Sequence, residues 1–183
     1  MKLFLSHLSS PLGELLLVTD AERNIRALDF ADHKSHLQRA LREFYGPTEL
    51  TLVPAPADIA GAIAGYFAGD LDALEPLPTS TTGSDLQRGV WKAISNIPVG
   101  TTLTYGKLAK ELGFQDPRAA MDIGAAAAAN PIAIVVPCHR VIGSNGDLKG
   151  YAWGLQRKRW LLAHERAIVQ GSEAGKTATL PGF

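Results

Sequence analysis

Apolar and polar residues alternate through the first 30 positions of the chain. Leu3, Leu5, Leu15, Leu17, Ile25, Ala27, Leu28 and Phe30 mark three stretches, separated by Ser10-Pro11-Leu12-Gly13 and by Asp20-Ala21-Glu22-Arg23-Asn24. A period of two broken by turn residues predicts a meander of β-hairpins. The period then lengthens. Leu37, Leu41 and Phe44 fall at helical spacing between His36 and Tyr45, ahead of Gly46-Pro47, and a second helix is expected from Asp58 to Phe67, before Gly69. Proline-rich residues 75–83 suit neither a helix nor a central strand, which predicts a domain linker. The chain therefore divides into an α/β domain over residues 1–83, a second domain over 84–168, and a tail, 169–183, rich in Gly, Ser, Thr and Ala and expected to be mobile.

The second domain reads as mainly helical. Ser84-Asp85-Leu86-Gln87 has the form of a capping box and opens a helix expected to bury Leu86, Val90, Trp91 and Ile94. After Pro98-Val99-Gly100, the residues Tyr105, Leu108, Ala109 and Leu112 repeat at i, i+3, i+4 and i+7. A further helix is expected from Arg118 to Ala129, ended by Asn130-Pro131. Two short helices about a glycine-containing turn resemble a helix-turn-helix with the second helix as reader, although many packed pairs share that pattern. The apolar run Ile132–Val136 predicts a buried strand that delivers Cys138 to a loop, and Gly143-Ser144-Asn145-Gly146 predicts a turn beyond it. In the last helix, expected over Leu155–Arg166, Lys158, Leu162 and Glu165 share one face.

Composition narrows the classes. At 183 residues and 46% hydrophobic, the chain can bury a core as one domain or two small ones. It lacks a signal-peptide h-region and any run long enough to span a bilayer, so a cytoplasmic protein without a membrane partner is expected. A single cysteine excludes an intramolecular disulfide, and the scattered histidines argue against a zinc site. The formal net charge of zero conceals an asymmetry: residues 1–83 hold 6 Lys/Arg against 11 Asp/Glu, residues 84–168 the reverse, 11 against 6. A basic half fits either a polyanionic partner or an ordinary solvated face.

The chemistry concentrates at Pro137-Cys138-His139-Arg140. Free cysteines more often pack than react, but an adjacent imidazole is what a nucleophilic thiol requires. Reference pKa values of about 8.5 and 6.5 make proton transfer from Cys to His uphill by about 2.7 kcal/mol. A third group must therefore stabilise the imidazolium.

Here the chain resembles the O6-alkylguanine-DNA alkyltransferases, or methylated-DNA–protein-cysteine methyltransferases. The resemblance is carried by Ile134-Val135-Val136-Pro137-Cys138-His139-Arg140-Val141-Ile142-Gly143, with Gln87–Ala93, Ile97–Gly100, Tyr105–Ala109, Gly150-Tyr151 and Gln156–Lys158. Trp160–Glu165 extends it downstream, and Ser10–Gly13 and Tyr66–Gly69 extend it into the first half. It implies a ribonuclease-H-like α/β domain followed by a mainly helical domain whose helix-turn-helix binds duplex DNA from the minor groove. It also implies a monomer with no cofactor or metal that flips an O6-alkylguanine and transfers the alkyl group irreversibly to Cys138. His139 and Glu165 would activate the thiol, His139 through a water, because sequence neighbours seldom face each other. Tyr105 would donate a proton to the base at N3. Arg118, Met121, Asn130, Arg140, Val141, Tyr151, Ala152, Trp153 and Lys158 match positions that bind DNA, line the pocket or support its loop.

This chain departs from the family at the reader helix. The family's Ala-Arg-Ala-Val-Gly is replaced by Ala120-Met121-Asp122-Ile123-Gly124, after a stretch two residues longer than expected, so Met121 falls where the duplex-entering arginine belongs. Arg118 lies almost one turn away, Asp122 turns a negative charge toward phosphates, and Ala125–Ala129 carries no side chain able to hold DNA. Trp153, where many relatives have glycine, is expected to narrow the pocket. Two other readings compete with repair. A lesion-binding or regulatory protein with impaired repair would suit the altered helix, and a cysteine hydrolase fits poorly, because neither an oxyanion-hole motif nor a distant catalytic histidine is evident.

Overall fold

A computed structural model describes residues 1–168; the tail expected to be mobile lies outside them. Two compact units emerge among the described residues, one of residues 1–83 with Pro131–Val135, the other of Ser84–Asn130 with residues 136–168.

The first unit is a four-stranded sheet with two helices. Strands β1 (Leu3–Leu8), β2 (Leu15–Thr19) and β3 (Ile25–Phe30) form the predicted antiparallel meander. After helix α1 (Lys34–Tyr45), a short strand β4 (Leu50–Leu52) pairs in parallel with β1, giving the order β3-β2-β1-β4. The sequence reading missed β4 because three residues are too few to show a period. Every residue of the inner strand β2 is buried, so its alternation separates two covered faces instead of core and solvent. On one face, Leu16 and Val18 join Leu3, Ala27 and the α1 residues Leu37 and Leu41 in a single cluster. Helix α2 (Ala57–Phe67) buries Ile59, Ile63 and Tyr66.

The proline-rich stretch is less free than a linker. Ile25 N–H donates to Pro78 O at 2.8 Å and Ser80 N–H to Ile25 O at 3.0 Å, which bridges Thr79 onto β3. Extended backbone is what proline favours, and a sheet edge can use it. The expected strand over Ile132–Val136 is also corrected. Only Ile132 makes a bridge, in parallel with Leu28, and turns follow.

In the second unit, helix α3 (Asp85–Ser95) begins with the predicted capping box, Ser84 accepting from Gln87 N–H and Gln87 from Ser84 N–H. It buries Val90, Trp91 and Ile94, but Leu86 is 36% exposed. Its first-turn position places Leu86 at the end of the apolar stripe, beyond the packing partners. Strand β5 (Leu103–Thr104) leads into α4 (Tyr105–Glu111), capped by the Thr104 hydroxyl, and α5 (Ala119–Ala128) follows. The alanines of α5 permit close approach, and Trp91 Nε1 donates to Ala126 O at 2.8 Å. Strand β6 (Val141–Ile142) pairs in parallel with β5. Helix α6 (Leu155–His164) ends two residues earlier than expected, with Glu165 as its C-cap and Arg166 at φ +62°. None of these helices is long and apolar enough to cross a membrane.

Replacing Ser84 by Ala removes the acceptor for an otherwise orphaned first-turn amide and is expected to cost about 1 kcal/mol. A lowered urea midpoint with an unchanged slope is the measurement that checks it.

Candidate functional site

Two tight turns, in place of a strand, bring the chain to Cys138. Ile134 has φ +68° and Val135 N–H donates to Ala133 O at 2.7 Å, the rare and strained form of γ-turn. For a β-branched residue such a φ costs on the order of 1–3 kcal/mol and persists only where the surroundings demand it. Pro137, at φ −83° and ψ 60°, centres the relaxed inverse form, in which Cys138 N–H donates to Val136 O at 2.8 Å. Residues Cys138–Arg140 then make one 3-10 turn, all three buried. With three residues per turn, successive side chains diverge by about 120° and reach different partners.

The thiol sits on a cleft of about 1030 Å³. Tyr105 and Ala109 of α4, Met121 and Gly124 of α5, and Tyr151 and Ala152 form parts of its wall. Cys138 is only 6% exposed, and burial pushes its pKa up. Two side chains oppose that, together with the residue's own backbone amide. Asn130 Nδ2 donates to Cys138 Sγ at 3.3 Å and to Val136 O at 2.9 Å, and the Lys158 ammonium favours the thiolate electrostatically.

Behind the thiol lies a buried ionic cluster. His139 Nε2 is 2.8 Å from Glu165 Oε1, while Arg140 donates from Nε to Oε2 and from Nη2 to Oε1, each at 2.9 Å. Burial works against the Glu165 carboxylate, but the His139 charge and hydrogen bond, with those of Arg140, hold its pKa well below the usual range. A carboxylate so held only accepts, so Nε2 carries a proton toward it and Nδ1 is the ring nitrogen left over. That buried Nδ1 has no hydrogen-bond partner among the described residues. Arg140 Nη1 also donates to Ile97 O at 2.7 Å. Nearby, Gly100 at φ +78° passes so close that a Cβ there would meet Glu165 O at 3.1 Å, which accounts for the glycine in Pro98-Val99-Gly100.

Lys158 is fully buried in α6, its ammonium donating to the carbonyls of Val141, Leu148 and Gly150 at 2.7, 2.6 and 3.2 Å. Burial lowers its pKa to about 8, against the pull of Cys138 and Asp147. Tyr105 moves the other way, to about 12, through burial and then the neighbouring thiolate charge. At neutral pH its hydroxyl is a proton donor.

The structure thus brings Cys138, Tyr105, Met121, Tyr151 and Ala152 to one cleft and gathers His139, Arg140 and Glu165 behind it. Several residues named from the sequence lie outside the cleft lining. Arg140 and Asn130, read as DNA or base contacts, face inward: one is the second partner of Glu165 and the other braces the thiol. The Val141 side chain is buried and its carbonyl already accepts from Lys158. Trp153 does not line the cleft; it is buried against Tyr151, their rings edge to face at 5.1 Å, and Tyr151 in turn meets His139 at 6.5 Å. Arg118 is exposed beside Asp116, outside the cleft lining, whereas Met121 is 77% exposed on it. Phe114 lines the cleft too and was read only as part of a turn, since one aromatic carries no periodic signal.

Comparison with known proteins agrees on one family. Residues 85–167 match the family described as 6-O-methylguanine DNA methyltransferase, DNA binding domain. The methylated-DNA–protein-cysteine methyltransferase of Salmonella typhimurium is 44% identical over 92% of this chain and 99% of its own. The Mycobacterium bovis protein of the same name is 43% identical over 78% of this chain and 88% of its own. The crystal structure of Mycobacterium tuberculosis OGT in complex with DNA superposes with a TM-score of 0.74 at 36% identity, covering 89% of this chain and 92% of that one.

Two outcomes follow from the ionic cluster. Arg140→Ala leaves a buried carboxylate half answered and is expected to cost about 3–5 kcal/mol in urea unfolding. Because the folded pKa of Glu165 is depressed, its stabilisation is complete above the ordinary value of 4.5 and drains away as pH falls below it. Glu165→Gln should flatten that acid limb of stability against pH, and an unaltered slope would contradict the assignment.

Proposed function

The chain belongs to the methylated-DNA–protein-cysteine methyltransferase family, and from that premise we propose that Cys138 removes an alkyl group from O6 of guanine in damaged double-stranded DNA. Transfer is irreversible and each molecule acts once, because a thioether has no leaving group from which the thiol can be regenerated. The observation that carries this reading is a buried thiol on a cleft, backed by a histidine whose proton is fixed by a carboxylate. The near-complete match to transferases favours repair over a regulatory protein.

Lone-pair Nδ1 of His139 takes the Cys138 proton through an intervening water, and Glu165 offsets the imidazolium charge. The thiolate then attacks the alkyl carbon: the S–C bond forms, the C–O6 bond breaks, and its electron pair passes into the purine. Tyr105 gives a proton to N3 and recovers one by way of His139, so the net proton moves from thiol to base and guanine leaves neutral. Lys158 acts one step back, holding together the carbonyls of the segment from Val141 to Gly150.

The order β3-β2-β1-β4 with a parallel outer pair supports a ribonuclease-H-like first unit. Helices α4 and α5 about residues 112–118 support a helix-turn-helix, entering from the minor groove with Met121 foremost. Methionine can wedge between bases, though it lacks the charge of an arginine. One chain contains every group the reaction uses, which suits a monomer.

Peptide mass measurement after mixing with duplex DNA containing O6-methylguanine should show one methyl on the Cys138 peptide and none after Cys138→Ser. DNA binding without that methyl would support the regulator instead. Met121→Arg should raise the single-turnover rate on duplex several-fold, since the wedge offsets a flipping cost of a few kcal/mol; an unchanged or slower rate would count against this placement.

A further inference from the structure

The turn after α4 presents an aromatic ring to the cleft and fixes the backbone beneath it. Gly113 at φ +87° donates to Lys110 O at 2.9 Å, and Phe114 N–H donates to Ala109 O at 3.0 Å. These two bonds form a Schellman motif with Phe114 at the position just past the left-handed residue, where an apolar side chain ordinarily folds back onto its helix. Asp116 stiffens the rest of the turn, its carboxylate accepting from Arg118 N–H at 2.9 Å and its carbonyl from Ala119 N–H at 3.0 Å.

Phe114 remains 37% exposed on the same cleft as Cys138. A single exposed hydrophobe needs no explanation, but six large ones are exposed among the described residues and two of them, Phe114 and Met121, meet at this one cleft. Helix α5 itself carries no Lys or Arg and one Asp, so charge on that helix cannot hold a polyanion. Lys110, four residues before Phe114, lines the same cleft. An aromatic face beside a lysine suits a nucleobase and its phosphate, where stacking supplies affinity without reading sequence.

We infer that Phe114 stacks on a base of the DNA held at the cleft and so sets affinity and positioning for the transfer, an inference resting on the alkyl-transfer reading above. Equilibrium binding of an end-labelled duplex containing O6-methylguanine, followed by fluorescence anisotropy in the full chain carrying Cys138→Ser, tests it. Phe114→Ala and Phe114→Leu should each weaken binding about fivefold or more, the lower end expected of base stacking. Phe114→Trp should bind within about twofold of the parent. Leucine keeps the apolar cover of the turn, so parent-like binding by Phe114→Leu would overturn stacking in favour of a merely apolar surface, and loss in Phe114→Trp equal to that in Phe114→Ala would overturn it as well. The binding series involves no chemistry. Failure of the alkyl-transfer reading would show instead as a wild-type Cys138 peptide that gains no methyl.

Discussion

A carboxylate taken out of water must have its charge answered, and Glu165 has both oxygens answered from one short turn of chain. His139 and Arg140 can both reach it because the 3-10 turn fans three consecutive side chains apart, leaving Cys138 for the cleft. That constraint organises the second unit. Glu165 must stand at the C-cap of α6, Arg140 must meet Ile97, and Gly100 must lack a side chain for the backbone to pass over Glu165. In the proposed reaction Glu165 is thus divided between structure and catalysis, and the imidazolium has to compete with a permanent guanidinium for the same oxygens.

Electrostatics around the thiol are set against its reactivity at rest. Burial raises the thiol pKa, and the Asn130 hydrogen bond, the Lys158 ammonium and the residue's own backbone amide act to lower it. Lys158 has a divided allegiance too, since it donates to three carbonyls and is itself pushed toward neutrality by burial. Such a thiol resists casual oxidation because little of it is thiolate. Under the proposed single irreversible transfer, leaving activation to what enters the cleft is a useful economy, because a spent acceptor would not be recovered.

Much of this was legible in the sequence where a residue's role is local. The capping box at Ser84, the meander of the first 30 residues and the helical spacing of α4 all depend on neighbours a turn away, and all appear in the structure. Roles that depend on distant partners were not legible. Arg140 was matched by resemblance to the DNA, pocket or loop positions, and nothing in its own neighbourhood announces Glu165, 25 residues on. Asn130 read as a helix stop before proline, a role that hides its bond to the thiol. The apolar run Ile132–Val136 has the composition of a strand, and only the positive φ of Ile134 reveals a γ-turn.

The reader helix shows how local chemistry and global task can diverge in one family. Ala125–Ala128 and the Trp91 bond to Ala126 make α5 an excellent packing element, close against α3 and devoid of cations. Packing of that quality leaves the proposed DNA contact to its exposed edge, where Met121 is the large apolar side chain among Asp122, Ala125 and Ala128. An apolar edge gains from unstacked bases and nothing from phosphates, so discrimination should shift from charge toward the ease with which a base leaves the stack. A mismatched or damaged base unstacks most cheaply. On the proposed reading, Met121 in place of an arginine weakens the grip on intact duplex more than the grip on a lesion, and the thiol cluster behind the cleft needs no change to exploit that difference.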